Sequence, residues 1–456
     1  MEAIASYFKF GERGTTLGTE IKAGIATFMV MVYIVAVNPG ILSAALPPGS
    51  DVQGFLVAAA AATALVAAVM TFLMGVISNY PLAIAAGLGI NGIVAFGLAL
   101  GAGLGLAGAM GVIVWEGIAV TVLVVIGLRE AIMNAVPLSL KRAIGVGIGL
   151  FILFIGFVDG GLIIRPDAGP VPVAFVFPNS WATWLTVIGL AITVVLYVRK
   201  VPAALVLSIV ITSIIALIVG VTTVPANLFQ APNFSTLGQF DLGKVFQAVG
   251  AGGLGLLGGI LTIFTIMLAD FFDTMGTATA ITEQAGLTTP DGQVPGIGRV
   301  LFVDSIAAIA GGAAGISSNT TYIESAAGVA EGGRTGFTSV VIGVLFLVMV
   351  VLSPLVALVP FQATAPVLIL VGFLMSSLIK DIDLSNLEEG LPALLGLILM
   401  PLTFSITVGI GAAFVAYVFI KVVVGKWSQI HPLMWLVTVG FVIYFAQAAI
   451  QSVLPK

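Results

Sequence analysis

The sequence predicts an all-α polytopic membrane protein of fourteen segments, arranged as two inverted halves of seven. Three observations predict it. The 456-residue chain is 60% hydrophobic and 8% charged, with a mean hydropathy of +1.22. A soluble domain carries about 25% charged residues, so this chain cannot cover a water-facing surface. Apolar runs of about 20 residues, the length that crosses a bilayer, recur along the chain. Basic residues fall at alternate turns between those runs, as the positive-inside rule requires when the N-terminus is cytoplasmic.

Taken in order, segments 1 to 7 are 22–42, 54–79, 84–100, 104–127, 141–158, 181–198 and 202–222. Segments 8 to 14 are 253–280, 299–316, 320–331, 337–359, 365–379, 390–407 and 409–424. Lys9, Arg13 and Lys22 precede segment 1, Arg129, Lys141 and Arg142 flank segments 4 and 5, and Arg199 and Lys200 separate 6 and 7. Arg299, Arg334, Lys380, Lys421 and Lys426 fall at later even-numbered turns or just after segment 14. A multi-pass protein of the cytoplasmic membrane, with its N-terminus inside, accounts for all of them. A further apolar run, 432–452, is either a fifteenth span or an interfacial helix. The opening MEAIASYFKFGERGTTLGTE is polar and amphipathic, unlike a cleavable signal peptide.

Two segments depart from the pattern. Segment 3 (IAAGLGINGIVAFGLAL) is glycine-rich, and segment 10 is too short to span and opens on Ser, Asn and Thr. Short or glycine-interrupted segments in corresponding halves point to the midplane site of a secondary transporter. A weak internal repeat supports two related halves. Val136-Pro137 precedes KRAIGVGIGLFILFIGFVD, and Val359-Pro360 precedes APVLILVGFLMSSLIKDID, an offset of 359 − 136 = 223 residues. With seven segments per half, the second half enters the membrane inverted. The chain divides into a first repeat at 1–225, an extracellular connection at 226–252, a second repeat at 253–427 and a hydrophobic C-terminal helix at 428–456.

Carboxylates inside apolar segments are costly and mark ligand or proton sites. Asp270, Asp273 and Thr277 are spaced i, i+3, i+7 in segment 8 and share one helical face, which must look into protein or a water-filled cavity. Asp270 reads as a supporting group beside Asp273. Thr321-Tyr-Ile-Glu324 fits a capping box at the start of a helix. The functional reading is compatible with it: a helix starting inside the membrane presents unpaired N–H groups to a ligand while Glu324 accepts from it. Asn91 lies in the glycine-rich Ala86–Gly92 stretch, where backbone can approach a ligand closely. Glu116 in segment 4 reads as a structural or supporting acid. Asp304, Glu283, Glu331 and Arg334 sit near span ends and are expected at the interface.

Other chemistry is excluded or unsupported. There is no cysteine, and the single His431 cannot build a metal cluster, so neither a metal nor a cofactor is expected. A net charge of −4 does not suggest nucleic-acid binding. No nucleophile–base set supports an enzyme. The glycines at 101–108 lack the βαβ setting of a nucleotide loop and suit helix packing better.

These residues resemble the AzgA-like purine permeases of the nucleobase/ascorbate transporter superfamily, across essentially the whole chain. The resemblance runs through Gly14-Thr-Thr-Leu-Gly-Thr-Glu20, Asn38-Pro39, Gly127-Leu-Arg-Glu130, Gly145-Val-Gly-Ile-Gly-Leu-Phe151 and Asp270-Phe-Phe-Asp273-Thr-Met-Gly276. It is most specific at Thr320-Thr-Tyr-Ile-Glu-Ser-Ala-Ala-Gly328 with Gly332-Gly-Arg-Thr335. It implies a core domain (segments 1–4 and 8–11) moving against a gate domain (segments 5–7 and 12–14), with short strands before half-helices 3 and 10. By motif position Asn91, Asp273 and Glu324 match the family's substrate-binding and transport residues, with Thr277 at a polar coupling position; Thr321 is grouped with them. Where the family pattern has Pro and Tyr around the segment-3 asparagine, this chain has Ala86 and Ile93, which bears on which purine is preferred. The implied activity is import of a purine nucleobase by proton symport, with Asp273 and Glu324 as the coupling acids. Sodium is the competing ion, through Thr277 and Asn319, and a homodimer is left open. An anion transporter or channel of the same fold is the rival reading, and it expects a cationic site where this sequence offers acids.

Overall fold

The computed structural model describes residues 2–127, 136–166, 173–224, 231–248, 252–289, 294–403 and 405–453. Every predicted segment is present in it, and three of them (1, 3 and 10) are broken in an informative way. Segment 1 is two helices, Leu17–Met31 and Ile34–Ser43, meeting at Val32 and Tyr33. Segment 3 is a strand β1 (Ile84–Ala86), one helical turn Leu88–Gly92, and a π-helix Ile93–Gly101 that the sequence pattern did not suggest. Strands β2 (Ile163–Ile164) and β3 (Ala174–Phe175) form a small hairpin after segment 5. Segment 8 is the long helix Gly255–Gln284. Segment 10 is a strand β4 (Asn319–Thr321) and a six-residue helix, Ser325–Ala330. Arg129 and the stretch Leu128–Glu130 lie outside the described residues.

Among the described residues, seven helical spans, counting abutting helices as one, are long and apolar enough to cross a membrane. They are Leu17–Ser43, Val52–Ser78, Gly105–Val125, Leu138–Asp159, Trp181–Val198, Gly336–Leu358 and Phe361–Asp381. The other segments are shorter apolar helices or are interrupted by polar residues. The run after segment 14 is the helix Pro432–Val453, packed on both Ile406–Val423 and Gly255–Gln284.

The packing shows the inverted repeat. Segment 2 (Val52–Ser78) packs along segment 11 (Gly336–Leu352), and segment 9 (Ile297–Ala313) packs along segment 4 (Gly105–Val125). Advancing the first pair by seven segments gives the second pair, as a two-fold relation between halves requires. Segments 5 (Leu138–Asp159) and 12 (Phe361–Ser376) are exchanged by the same operation and pack on each other. Pro137 and Pro360, the residues of the weak sequence repeat, both occupy the N-cap of these helices, where a missing N–H costs nothing.

The halves cross at the two short strands. β1 and β4 pair antiparallel, with Ile84 opposite Thr321, Ala85 opposite Thr320 and Ala86 opposite Asn319. Both strands are fully buried. Extended backbone at membrane depth is tolerated only where protein satisfies it. Here Thr71 Oγ1 both donates to Ile84 O (2.8 Å) and accepts from Ile84 N (2.9 Å). Tyr322 N donates to Ala83 O (2.8 Å), Gly87 N to Ser318 O (2.9 Å), and the Tyr322 hydroxyl to Ala86 O. Ser325 Oγ accepts from Ala83 N at 3.0 Å.

Candidate functional site

The site is built where the strand pair, the broken segment 1 and the middle of segment 8 meet. At 30 residues, segment 8 is about 45 Å long. Asp270, Asp273 and Thr277 lie in its central turns. Asp273 is half-buried and lies within electrostatic reach of Asp304 and Glu324. Thr277 is buried.

Glu324 is also half-buried. Its Oε1 accepts a 2.7 Å hydrogen bond from the Tyr33 hydroxyl. Tyr33 stands at the junction between the two helices of segment 1. The expected capping box does not form. Thr321 lies in β4, the helix begins at Ser325, and Glu324 occupies the N-cap position without a side-chain cap bond. The carboxylate is therefore not consumed by its own helix. A six-residue helix also carries little dipole, so the side chain, rather than the helix end, offers the acceptor.

The Thr321 hydroxyl and backbone N–H both donate to Asp304 Oδ1, each at 2.9 Å. Thr274 donates to Asp304 Oδ2 (2.6 Å) and shares a 2.7 Å contact with the Thr320 hydroxyl. Asp304 was expected at the interface; instead it is buried between segment 8 and β4. Its three donors fix β4 to segment 9, and a charged acceptor holds such donors more firmly than a neutral one. Glu283 and Glu331 are exposed, with Glu331 paired to Lys22 at 2.6 Å, as expected of span ends.

Asn91 is fully buried, and neither its amide nitrogen nor its amide oxygen has a hydrogen-bond partner. Its turn lies against segment 5. A Cβ added at Gly89 would lie 2.5 Å from Ile148 Cγ2, and one at Gly92 would lie 2.7 Å from Ile155 Cδ1. Glycine is what lets the Asn91 turn approach this helix. Asp270 and Glu116 are both buried, and they face each other rather than Glu324. Among the described residues no group of three or more His, Asp or Glu side chains is placed to hold a metal ion.

The structure thus brings Asp273 and Glu324 together, ties Thr321 to Asp304, and sets Asp270 with Glu116. Sequence reasoning missed Tyr33, Thr274 and the central role of Asp304. A tyrosine in mid-span of segment 1 was a usable signal for the first. For Asp304 the signal was depth: it lies six residues into segment 9, between Val303 and Ser305.

Comparison with known proteins identifies the family and the fold. A family model described as Permease family matches residues 18–444. The adenine permease AdeQ of Escherichia coli is 38% identical, with 94% of this chain and 93% of AdeQ aligned. The guanine/hypoxanthine permease PbuG of Bacillus subtilis is 37% identical over 97% of this chain and 99% of PbuG. Among solved structures, the transmembrane domain of the cyanobacterial bicarbonate transporter BicA superposes with a TM-score of 0.61 at 16% identity, covering 87% of this chain and 97% of that domain. SLC26A9 superposes at 0.58 and 14% identity, covering 88% of this chain and 65% of its own. These two share the fold. The near full-length match at the sequence level goes further, and this chain belongs to the permease family: it is a membrane permease and not an enzyme.

Proposed function

We propose that this permease imports purine nucleobases across the cytoplasmic membrane by proton symport and alternating access. The observation that carries the reading is the pair of half-buried carboxylates, Asp273 and Glu324, within electrostatic reach of each other near the crossing of the two repeats. A purine is flat and neutral, and its edge carries N–H donors that carboxylates accept. Asn91 adds an amide whose donor and acceptor are both free. The names of the relatives, adenine and guanine/hypoxanthine permeases, point to the same substrate class.

In this reading Asn91, Asp273, Thr277 and Glu324 contact the base, and Thr321 shapes the site through Asp304. Asp273 and Glu324 repel when both are charged, so a proton on one of them removes a buried charge as the base arrives. Because they act as a pair, the proton belongs to the pair. Segments 1–4 and 8–11 form the core that carries the site, and segments 5–7 and 12–14 form the gate. The two repeats, 1–225 and 253–427, are joined by an extracellular connection at 226–252 and followed by a C-terminal helix at 428–456, with the N-terminus cytoplasmic. The anion-transporting neighbours share the fold only, and an acidic pair disfavours an anionic substrate.

The test is uptake of radiolabelled adenine, guanine and hypoxanthine into transport-deficient cells, with and without an uncoupler. Uncoupler-sensitive accumulation of at least one purine is expected. Uptake of none of them, or anion conductance in its place, overturns the reading.

A further inference from the structure

Segments 4 and 8 each bury one carboxylic acid at their contact. Glu116 is 0% exposed and Asp270 is 1% exposed. The two helices pack on each other, and each carboxyl acts electrostatically on the other across that contact. None of their four oxygens receives an N–H or O–H donor. The contrast with Asp304, which collects three donors, is sharp. Two acceptors facing each other without a donor form a bond only when a proton lies between them, and like charges sharing a buried site cannot both persist.

Among the described residues of the three helices that meet here, no buried base stands by to neutralise them. Glu116 is the one charged residue of Gly105–Val125. On Gly255–Gln284 the others are Asp273 and Glu283, the latter exposed at its end. On Ile297–Ala313 they are Asp304 and the exposed Arg299. The stem of Lys244 lies against Gly108, two turns of helix away from Glu116. Segment 9 seals the pair from behind, since a Cβ at Gly117 would lie 2.7 Å from Ile309 N. A sodium ion would need more oxygen ligands than two carboxylates, and among the described residues no hydroxyl is hydrogen-bonded to the pair.

We propose that Glu116 and Asp270 form a dedicated proton-holding site, a shared-proton carboxyl pair behind the substrate site. Electrostatic contact runs from this pair through Asp304 to Asp273 and on to Glu324. Charge arriving or leaving at Asp273 and Glu324 therefore changes the proton affinity of the buried pair. The coupling part of this inference rests on the proton-symport reading; the existence of the shared proton does not.

Infrared spectroscopy of the full-length protein in lipid at neutral pH tests the proton directly. A protonated-carboxyl C=O absorption, shifted by D2O, is expected in the wild type. Glu116→Gln and Asp270→Asn should each lose it, because the new amide donates to the remaining carboxylate. The double variant Glu116→Gln/Asp270→Asn, an amide pair of the same shape, guards against misfolding and should lose it as well. An absorption unchanged in all three variants overturns the proposal. So does an absorption that is absent in sodium buffer and appears on sodium removal. The coupling arm compares uptake across pH in wild type and Glu116→Gln, where the pH profile of the variant should be displaced, because one of the acids acting electrostatically on the Asp273 and Glu324 pair is gone; an unchanged profile overturns the coupling role. If wild-type uptake itself is independent of pH, the symport reading fails while the infrared result still decides the shared proton.

Discussion

A single hydroxyl orients the acid on which the proposed substrate site turns. Tyr33 donates to Glu324 Oε1 at 2.7 Å, and the carboxylate makes no side-chain cap bond to the helix it precedes. A hydrogen bond to a charged group contributes about 1.5–3 kcal/mol. Tyr33→Phe should therefore weaken purine binding roughly tenfold or more, at about 1.4 kcal/mol per tenfold, with normal protein levels in the membrane; equilibrium binding to purified protein measures it. Glu324→Gln keeps the shape but turns one acceptor into a donor, and it should abolish or severely weaken binding. Native affinity in that variant would make Glu324 a structural group. Asp273→Asn should damage transport more than Asp270→Asn, because Asp273 faces Glu324 while Asp270 faces Glu116. Comparing initial uptake rates decides it, and greater loss at Asp270 would place the essential acid in the buried pair. The spacing i, i+3 put both aspartates on one helical face, but the face could not say which neighbour each one meets.

At the scale of elements, the start of Gly336–Leu352 is capped from a distant segment. Glu20, in the first turn of Leu17–Met31, is fully buried and accepts from Arg334 N (2.9 Å), Thr335 N (3.3 Å), Thr338 N (3.1 Å) and Thr338 Oγ1 (2.6 Å). It satisfies the open N–H groups at the start of Gly336–Leu352 from another segment. Glu20→Ala leaves buried donors unmet and should cost about 2–4 kcal/mol, read as a fall of Tm in detergent, with Glu20→Gln milder. Gly311 answers to a harder limit. A Cβ there would lie 2.1 Å from Ser317 O and 2.3 Å from Asn319 Nδ2, at the entry to β4. Gly311→Ala should sharply reduce the folded, monodisperse fraction on size exclusion, whereas alanine at the open Gly298 should not. The sequence marked segment 10 as irregular through its Ser-Asn-Thr opening. It assigned Thr321 to a capping box because local spacing cannot reveal a strand whose partner lies more than 200 residues away.

For the whole molecule, the proposed coupling has a clean test in proteoliposomes. An inward proton gradient should drive accumulation of purine, and an inward sodium gradient alone should not. The reason is electrostatic: carboxylates in low dielectric take up protons in the working pH range when like charges crowd them. Accumulation under sodium alone would sink the proton mechanism, and accumulation under neither would leave a facilitator. The architecture suits a rocking motion. Segments 5 and 12 pack on each other, and the glycine face of the Asn91 turn lies on segment 5 without interlocking side chains of its own.

What the sequence determined by itself is set by local composition and period. Apolar runs of spanning length and the alternation of basic turns gave the membrane class, the segments and their inverted order, because the bilayer constrains each stretch independently of its neighbours. The intramembrane acids Asp270, Asp273, Glu116 and Glu324 were legible for the same reason: their cost is visible wherever they occur. The tertiary structure alone decided who meets whom. Tyr33 reaches Glu324 across 291 residues, Glu20 caps a helix more than 300 residues away, and Glu116 finds Asp270 rather than the substrate site. Such pairings depend on how two repeats cross and on which glycines permit close approach, and no local period encodes either.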